Sequence, residues 1–205
     1  MTLIAKAAPK FEPPRWSDYD KRATVAASTP AFAKAAVVNR FCARYRFARA
    51  FRGLVLEGYS SDTRQGYDAL TKVSLHWSAF EQLLRAIKVT DARSIAARHD
   101  FAQCLSDMRA ADPTNVFFQF VLSHLDSESL KAPVGEYILG KSCSALALSK
   151  AVRHIFLHGP LTPNVSGLAP SVVSAVCDAL SDALVTVMDF EFERNVADLV
   201  SAYPD

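Results

Sequence analysis

The sequence predicts an all-α protein, a single up-and-down bundle of about five to six helices. Three observations carry this. Half of the 205 residues are hydrophobic and only 7 are glycine, so the flexible turn positions that a sheet protein needs are scarce. Apolar residues recur at spacings of three, four and seven in several long stretches. No two stretches alternate in a way that would pair them as strands.

Residues 1–29 hold three prolines and little periodicity, which predicts an extended N-terminal arm ahead of one domain over 30–205. From Pro30 the pattern turns helical: Val37, Phe41, Tyr45, Ala48 and Val55 share one side, and Gly58 marks the end. Ser60 and Ser61 are N-cap residues for the next helix. Leu70, Val73, Trp77, Phe80, Leu84 and Ile87 then form an apolar seam of about five turns. Thr90 or Asp91 caps a third helix running to about Ala110. Pro113 opens a fourth that contains VFFQFVLSHL. Residues 126–142 are less regular and read as a loop with short helical pieces. A further helix spans residues 144–158, capped by Ser142 or Ser144. After the loop 159–169, Pro170 suits the first turn of a last helix to about Ala202, with Val173, Val176, Leu180, Leu184 and Val187 inward.

A net charge of +2 does not by itself announce a nucleic-acid binder. No unbroken apolar run reaches the roughly 18 residues of a membrane span, and the first residues lack an apolar leader core, so a cytoplasmic protein away from membranes is expected. Cys42, Cys104, Cys143 and Cys177 lie far apart without a C-x-x-C pair. They read as reduced, small core residues, and neither a metal nor a cofactor is expected.

Chemistry gathers in AVRHIFLHGPLTPNVSG, residues 151–167. Two histidines four residues apart and an arginine sit in the last two turns of a helix that stops on Gly-Pro. Leu148, Val152 and Ile155 make a core-facing stripe. Ala147, Ala151, His154 and His158 make a second stripe, whose small residues suit the close approach of another helix. Arg153 and His158 point about 140° apart on the helix. One copy of the chain is therefore an awkward site, whereas two copies packed through the alanines would bring their arginines and histidines into one cleft.

Arg153-His-Ile-Phe-Leu-His158 resembles the R-x(4–6)-H signature of the HEPN superfamily, the higher-eukaryote and prokaryote nucleotide-binding domains. Gly-Pro-Leu-Thr-Pro after it resembles the following loop of bacterial members, LHWSAFEQLLRAI (75–87) resembles their second helix, and the long last helix fits their ending. The resemblance spans about residues 60–200. It implies a HEPN-like core of four or five helices that dimerises through the 144–158 helix, and metal-independent endoribonuclease activity of the kind used by toxins and phage-defence effectors. By position, Arg153 and His158 would be the catalytic pair. His154 stands where many members have asparagine. RNA would be the substrate, and an antitoxin or other regulatory protein a possible further partner.

These residue types suit RNA cleavage without a metal. A base must take the 2′-hydroxyl proton and an acid must protonate the 5′-oxygen, and histidine serves as either near neutrality. Arginine offers a fixed charge and a planar fork to the crowded phosphorus. The expected product is a 2′,3′-cyclic phosphate. The other reading of Arg153 and His158 is structural, as cations favoured near a helix C-terminus; His154 reads equally as a packing residue. The alternative function is a non-catalytic HEPN-like module that binds nucleotide, RNA or a protein.

Glu81, Thr162 and Asn164 are the candidate substrate-binding residues. Glu81, beside the Trp77/Leu84 seam, would orient a site arginine or histidine; for Thr162 and Asn164, ordinary loop polarity accounts for both. RFCARYRFARAFR (40–52) holds five arginines and no acid, spread over the helix circumference, and reads as a solvated or salt-bridged face before a phosphate track. Asp178, Asp182, Asp189 and Glu193 share one face of the last helix, exposed or paired with arginines and not a metal site. His76, His99 and His124 lie in separate elements and receive no role. There is no G-x-S-x-G elbow and no phosphate-cradling glycine loop.

Overall fold

The computed structural model describes residues 11–204, and no strand occurs among them. The helices are α1 (Trp16–Lys21), α2 (Ala23–Ala26), α3 (Ala35–Ala50), α4 (Ser61–Ala86), α5 (Ala92–Ala96), α6 (Ala102–Ala111), α7 (Val116–His124), α8 (Glu128–Ile138), α9 (Ala145–Leu157) and α10 (Pro170–Ala202). That is ten where five to six were expected, because several stretches read as continuous or irregular resolve into short separate helices.

The all-α class holds. Four long helices form the frame, and their side-chain contacts fix its directions. Ala33 N–H donates to Ala86 O while Leu54 N–H donates to Asp68, so α3 runs antiparallel to α4. The Tyr45 hydroxyl reaches Asp189, and the Phe41 ring meets Phe192 at 5.3 Å, so α3 also runs antiparallel to α10. Arg153 faces Glu81, and Pro163 packs on Gly66, laying α9 and its following loop antiparallel along α4. Successive long helices therefore alternate in direction.

The termini of the frame follow local chemistry. Ser60 Oγ accepts from Thr63 N–H and starts α4, Asp91 accepts from Arg93 N–H and starts α5, and Pro170 takes the first turn of α10. Ser144 precedes α9 without a capping hydrogen bond. The first long helix stops at Ala50, short of Gly58. Gly53, at φ 124°, brings the chain against α4 so closely that a Cβ there would lie 2.7 Å from Asp68 Oδ2. Val55 therefore stands in a loop, 93% exposed, and leaves the expected apolar side.

The N-terminal stretch also departs from expectation. Residues 1–10 of the expected arm lie outside the described residues. The rest forms α1 and α2, with Tyr19 and Ala26 fully buried. Tyr19, Phe32, Phe41 and Phe192 make one aromatic cluster, with Trp16 stacked on Phe192 at 6.0 Å. Such pairs add about 0.5–1.5 kcal/mol beyond area burial, so this segment is part of the core.

α10 is the central helix. By length and composition it would pass as a membrane span. One side packs into the core, with Val173, Leu180, Leu184, Met188, Phe192 and Val196 all sealed from solvent, while Phe190 is exposed. It also carries Glu191 at 0% exposure. That carboxylate receives Arg98 through two hydrogen bonds (3.1 and 2.8 Å), Arg194 at 2.9 Å and His99 Nε2 at 3.0 Å. A charge so buried persists only when it is fully paired.

Candidate functional site

α9 reads Ala-Leu-Ala-Leu-Ser-Lys-Ala-Val before the motif, a run of good helix formers. Leu146, Leu148, Val152 and Ile155 are buried. The helix ends at His158, where His158 N–H donates to His154 O (3.1 Å), Gly159 N–H donates to Phe156 O (3.2 Å), and Gly159 turns at φ 101°. This left-handed glycine is the ordinary stop of a helix. It leaves the last turn, with both histidines, at the edge of the bundle.

Two pairs form there. Arg153, half-buried on α9, extends across to Glu81 of α4, with Nη2 to Oε2 at 3.9 Å. His154, half-buried, and His158, exposed, bring their rings to a 4.5 Å centroid separation at 56°. The structure thus joins Arg153 to Glu81 and His154 to His158, two separate pairs near one helix end, with residues 153 and 154 about 100° apart around the helix. Glu81 holds the arginine in place but at a loose distance, leaving guanidinium donors for a ligand.

The loop beyond is pinned. Leu161, Pro163 and Val165 turn inward and are buried, and Pro163 lies so close to Gly66 that a Cβ on that glycine would come within 2.6 Å of it. Thr162 and Asn164 alternate outward and are exposed. Neither makes a side-chain hydrogen bond among the described residues.

The alanine stripe has a different use from the expected one. Ala151 is 0% exposed and Ala147 half-buried within a single chain, so these small residues let α9 seat on its own neighbours. On α9 and its cap, Lys150, Leu157 and His158 are exposed.

The remaining polar features sort clearly. The arginine-rich run divides: Arg46 pairs with Glu12 and lies over Trp16, Arg52 lies over Phe11, and Arg40 and Arg44 face solvent. On α10, Asp178 takes Lys72 (2.8 Å), Asp189 accepts the Tyr45 hydroxyl (2.6 Å), and Asp182 and Glu193 are exposed. Burial pushes the Asp189 carboxyl above the usual range and raises the Cys42 thiol to about 12. All four cysteines are free, and no three metal-ligating side chains cluster among the described residues. His99 belongs to the Glu191 network, and His124 contacts Phe120 O through Nδ1 at 2.9 Å.

His76 is the feature that sequence reasoning passed over. It is 1% exposed, and neither ring nitrogen has a hydrogen-bond partner. It borders a cavity of about 480 Å³ between α3, α4 and α10, whose polar lining includes Arg49, Arg52, Asp68, Lys72, Ser174 and Asp178. No residue of the α9 motif lines that cavity. Compared with known proteins, the chain matches no family model, no curated protein and no solved structure.

Proposed function

We propose that this chain is a HEPN-like, metal-independent endoribonuclease, acting as a homodimer whose cleft is built around the open ends of two α9 helices. The observation that carries the reading is the geometry at residues 153–158: an arginine paired with a carboxylate, and two imidazoles in ring contact, in the last turns of one helix. That set contains what phosphodiester transfer requires. One imidazole takes the 2′-hydroxyl proton as the 2′-oxygen attacks the adjacent phosphorus. Another histidine gives a proton to the departing 5′-oxygen, and Arg153 balances the charge on the phosphoryl oxygens. The products are a 2′,3′-cyclic phosphate and a 5′-hydroxyl. Two copies supply acid and base from separate helices, which suits a motif whose arginine and second histidine diverge on one helix. A cytoplasmic toxin or phage-defence role, held in check by a regulatory partner, would follow from such an activity.

The test is cleavage of structured and unstructured RNA in EDTA by the wild-type chain and by Arg153→Ala, His158→Ala and Glu81→Gln. Loss of at least about 10²-fold in the first two, with melting temperature and oligomeric state unchanged, is expected. Glu81→Gln should lower the rate by roughly tenfold with little stability change, since the pair it breaks is loose and partly hydrated. DNA should stay intact. Undiminished cleavage by both alanine variants would remove these residues from the reaction. A wild-type chain that binds RNA without cutting it would favour a non-catalytic binding module.

A further inference from the structure

Two grooves meet on the outer side of α4, beside the Arg153–Glu81 pair. One, of about 610 Å³, runs between α3 and α4 and is lined by Val37, Arg40, Glu81, Arg85 and Lys88. The other, of about 400 Å³, runs between α4 and α9 and is lined by Trp77, Asp91, Arg93, Ala147 and Lys150. Leu84 and Thr90 line both, so the two grooves are neighbours on either side of these residues.

We propose that these two neighbouring grooves are the track for single-stranded RNA flanking the cleaved phosphate, with Arg40, Arg85 and Lys150 as its phosphate contacts. The inference rests on the ribonuclease reading for its direction toward Arg153.

Charge is the first argument. The lining holds five cations against two carboxylates, and both carboxylates are engaged, Glu81 with Arg153 and Asp91 with Arg93. The whole chain carries a net charge of only +2, so positive charge is concentrated here. Arg40, Arg85 and Lys150 are exposed and make no ion pair or hydrogen bond among the described residues. They come from α3, α4 and α9, on both walls and the ridge between them.

Shape and polarity are the second. The floor between the cations is apolar, with Leu84 half-buried above an almost fully buried Trp77. A base turned into the groove supplies an apolar face for that floor. This is the pattern of single-strand recognition, a backbone followed by cations while bases turn onto apolar side chains. A duplex keeps its bases stacked inside and offers nothing to the floor. An acidic peptide offers charge, but no aromatic ring face at each step.

The experiment measures binding of a fluorescent twelve-nucleotide, 2′-O-methylated single strand, which cannot be cut, by the full chain across a series of KCl concentrations. The comparison is with Arg40→Ala, Arg85→Ala, Lys150→Ala and the triple variant. Each contact to a single strand contributes about 0.7 to the salt slope, so the triple variant should lose about 2 from it and bind on the order of 10²-fold more weakly at 50 mM salt. Melting temperatures should stay together, because the three side chains are exposed. Duplex RNA and polyglutamate should compete poorly. A triple variant with the wild-type slope, or polyglutamate competing as well as the single strand, overturns the track. The outcome separates from the catalytic reading: a wild-type chain that shows the slope loss but never cuts leaves the groove standing and removes the chemistry. A chain that cuts with an unchanged slope does the reverse.

Discussion

Replacing His76 by leucine isolates the energetic cost of a buried imidazole that finds no partner. Both ring nitrogens are sealed from solvent and unbonded. Burial first, then the nearby charges of Lys72 and Arg49, pushes this histidine down from its ordinary 6.5 to about 4, with Asp178 opposing. The unfolded chain takes up a proton on His76 below pH 6.5, whereas the folded chain refuses it until about pH 4. The unfolded state therefore binds more protons between those values, and stability falls as the pH drops through the window. At about 1.4 kcal/mol per unit, the full loss is about 3.4 kcal/mol, and about 2.4 kcal/mol of it lies between pH 7 and pH 4.5. The total stability of a domain is about 5–15 kcal/mol, so the effect is large. Urea unfolding at the two pH values measures it. The wild-type midpoint should drop by about 1 M more than that of His76→Leu, since titrations common to both proteins cancel in the difference. At pH 7 the variant should stay within about 1 kcal/mol of wild type, because it removes two unsatisfied polar atoms along with the ring. Parallel falls of the two midpoints between pH 7 and 4.5 would refute the reasoning.

Glu191→Ala should cost about 3 kcal/mol, the low end for breaking a buried ion pair, because Arg98 and Arg194 are both partly exposed and regain water; denaturant melts at pH 7 check it. Gly66→Ala gains helix propensity of about 1 kcal/mol but drives a methyl into Pro163, for a net loss of about 1–2 kcal/mol. The same variant should raise hydrogen exchange in residues 159–169, because Pro163 is what pins that loop; unchanged exchange would place the anchor elsewhere.

How much of the fold could be read from the sequence depended on where packing agreed with local propensity. The α4 seam was legible because Leu70, Val73, Trp77 and Phe80 repeat at helical spacing and all become buried. Ser60, Asp91 and Pro170 announced starts that the structure uses. The breaks were not legible. α3 ends early because Gly53 docks on Asp68 of another helix, a contact that no local window contains. α8 continues through Pro133, which a sequence reading takes as a breaker; Pro133 is at the sixth position, beyond the first turn where proline is ordinarily tolerated. The N-terminal stretch looked extended because its two helices are short, and Tyr19 and Ala26 draw their order from Phe32, Phe192 and the frame rather than from periodicity.

The candidate site divides along the same line. Arg153, His154 and His158 stood out because their chemistry is unusual for a helix end, and their placement on the last turn follows from Gly159, which is also local. Glu81 was legible as a carboxylate beside an apolar seam, but its partner needed the α4–α9 packing. Ala151 shows the limit most clearly. A stripe of small residues says only that something approaches closely, and here the approaching surface is the same chain. The basic groove escaped notice for a similar reason. Arg40, Arg85 and Lys150 are each one ordinary surface cation on a separate helix, and they become a track only when α3 and α9 flank α4.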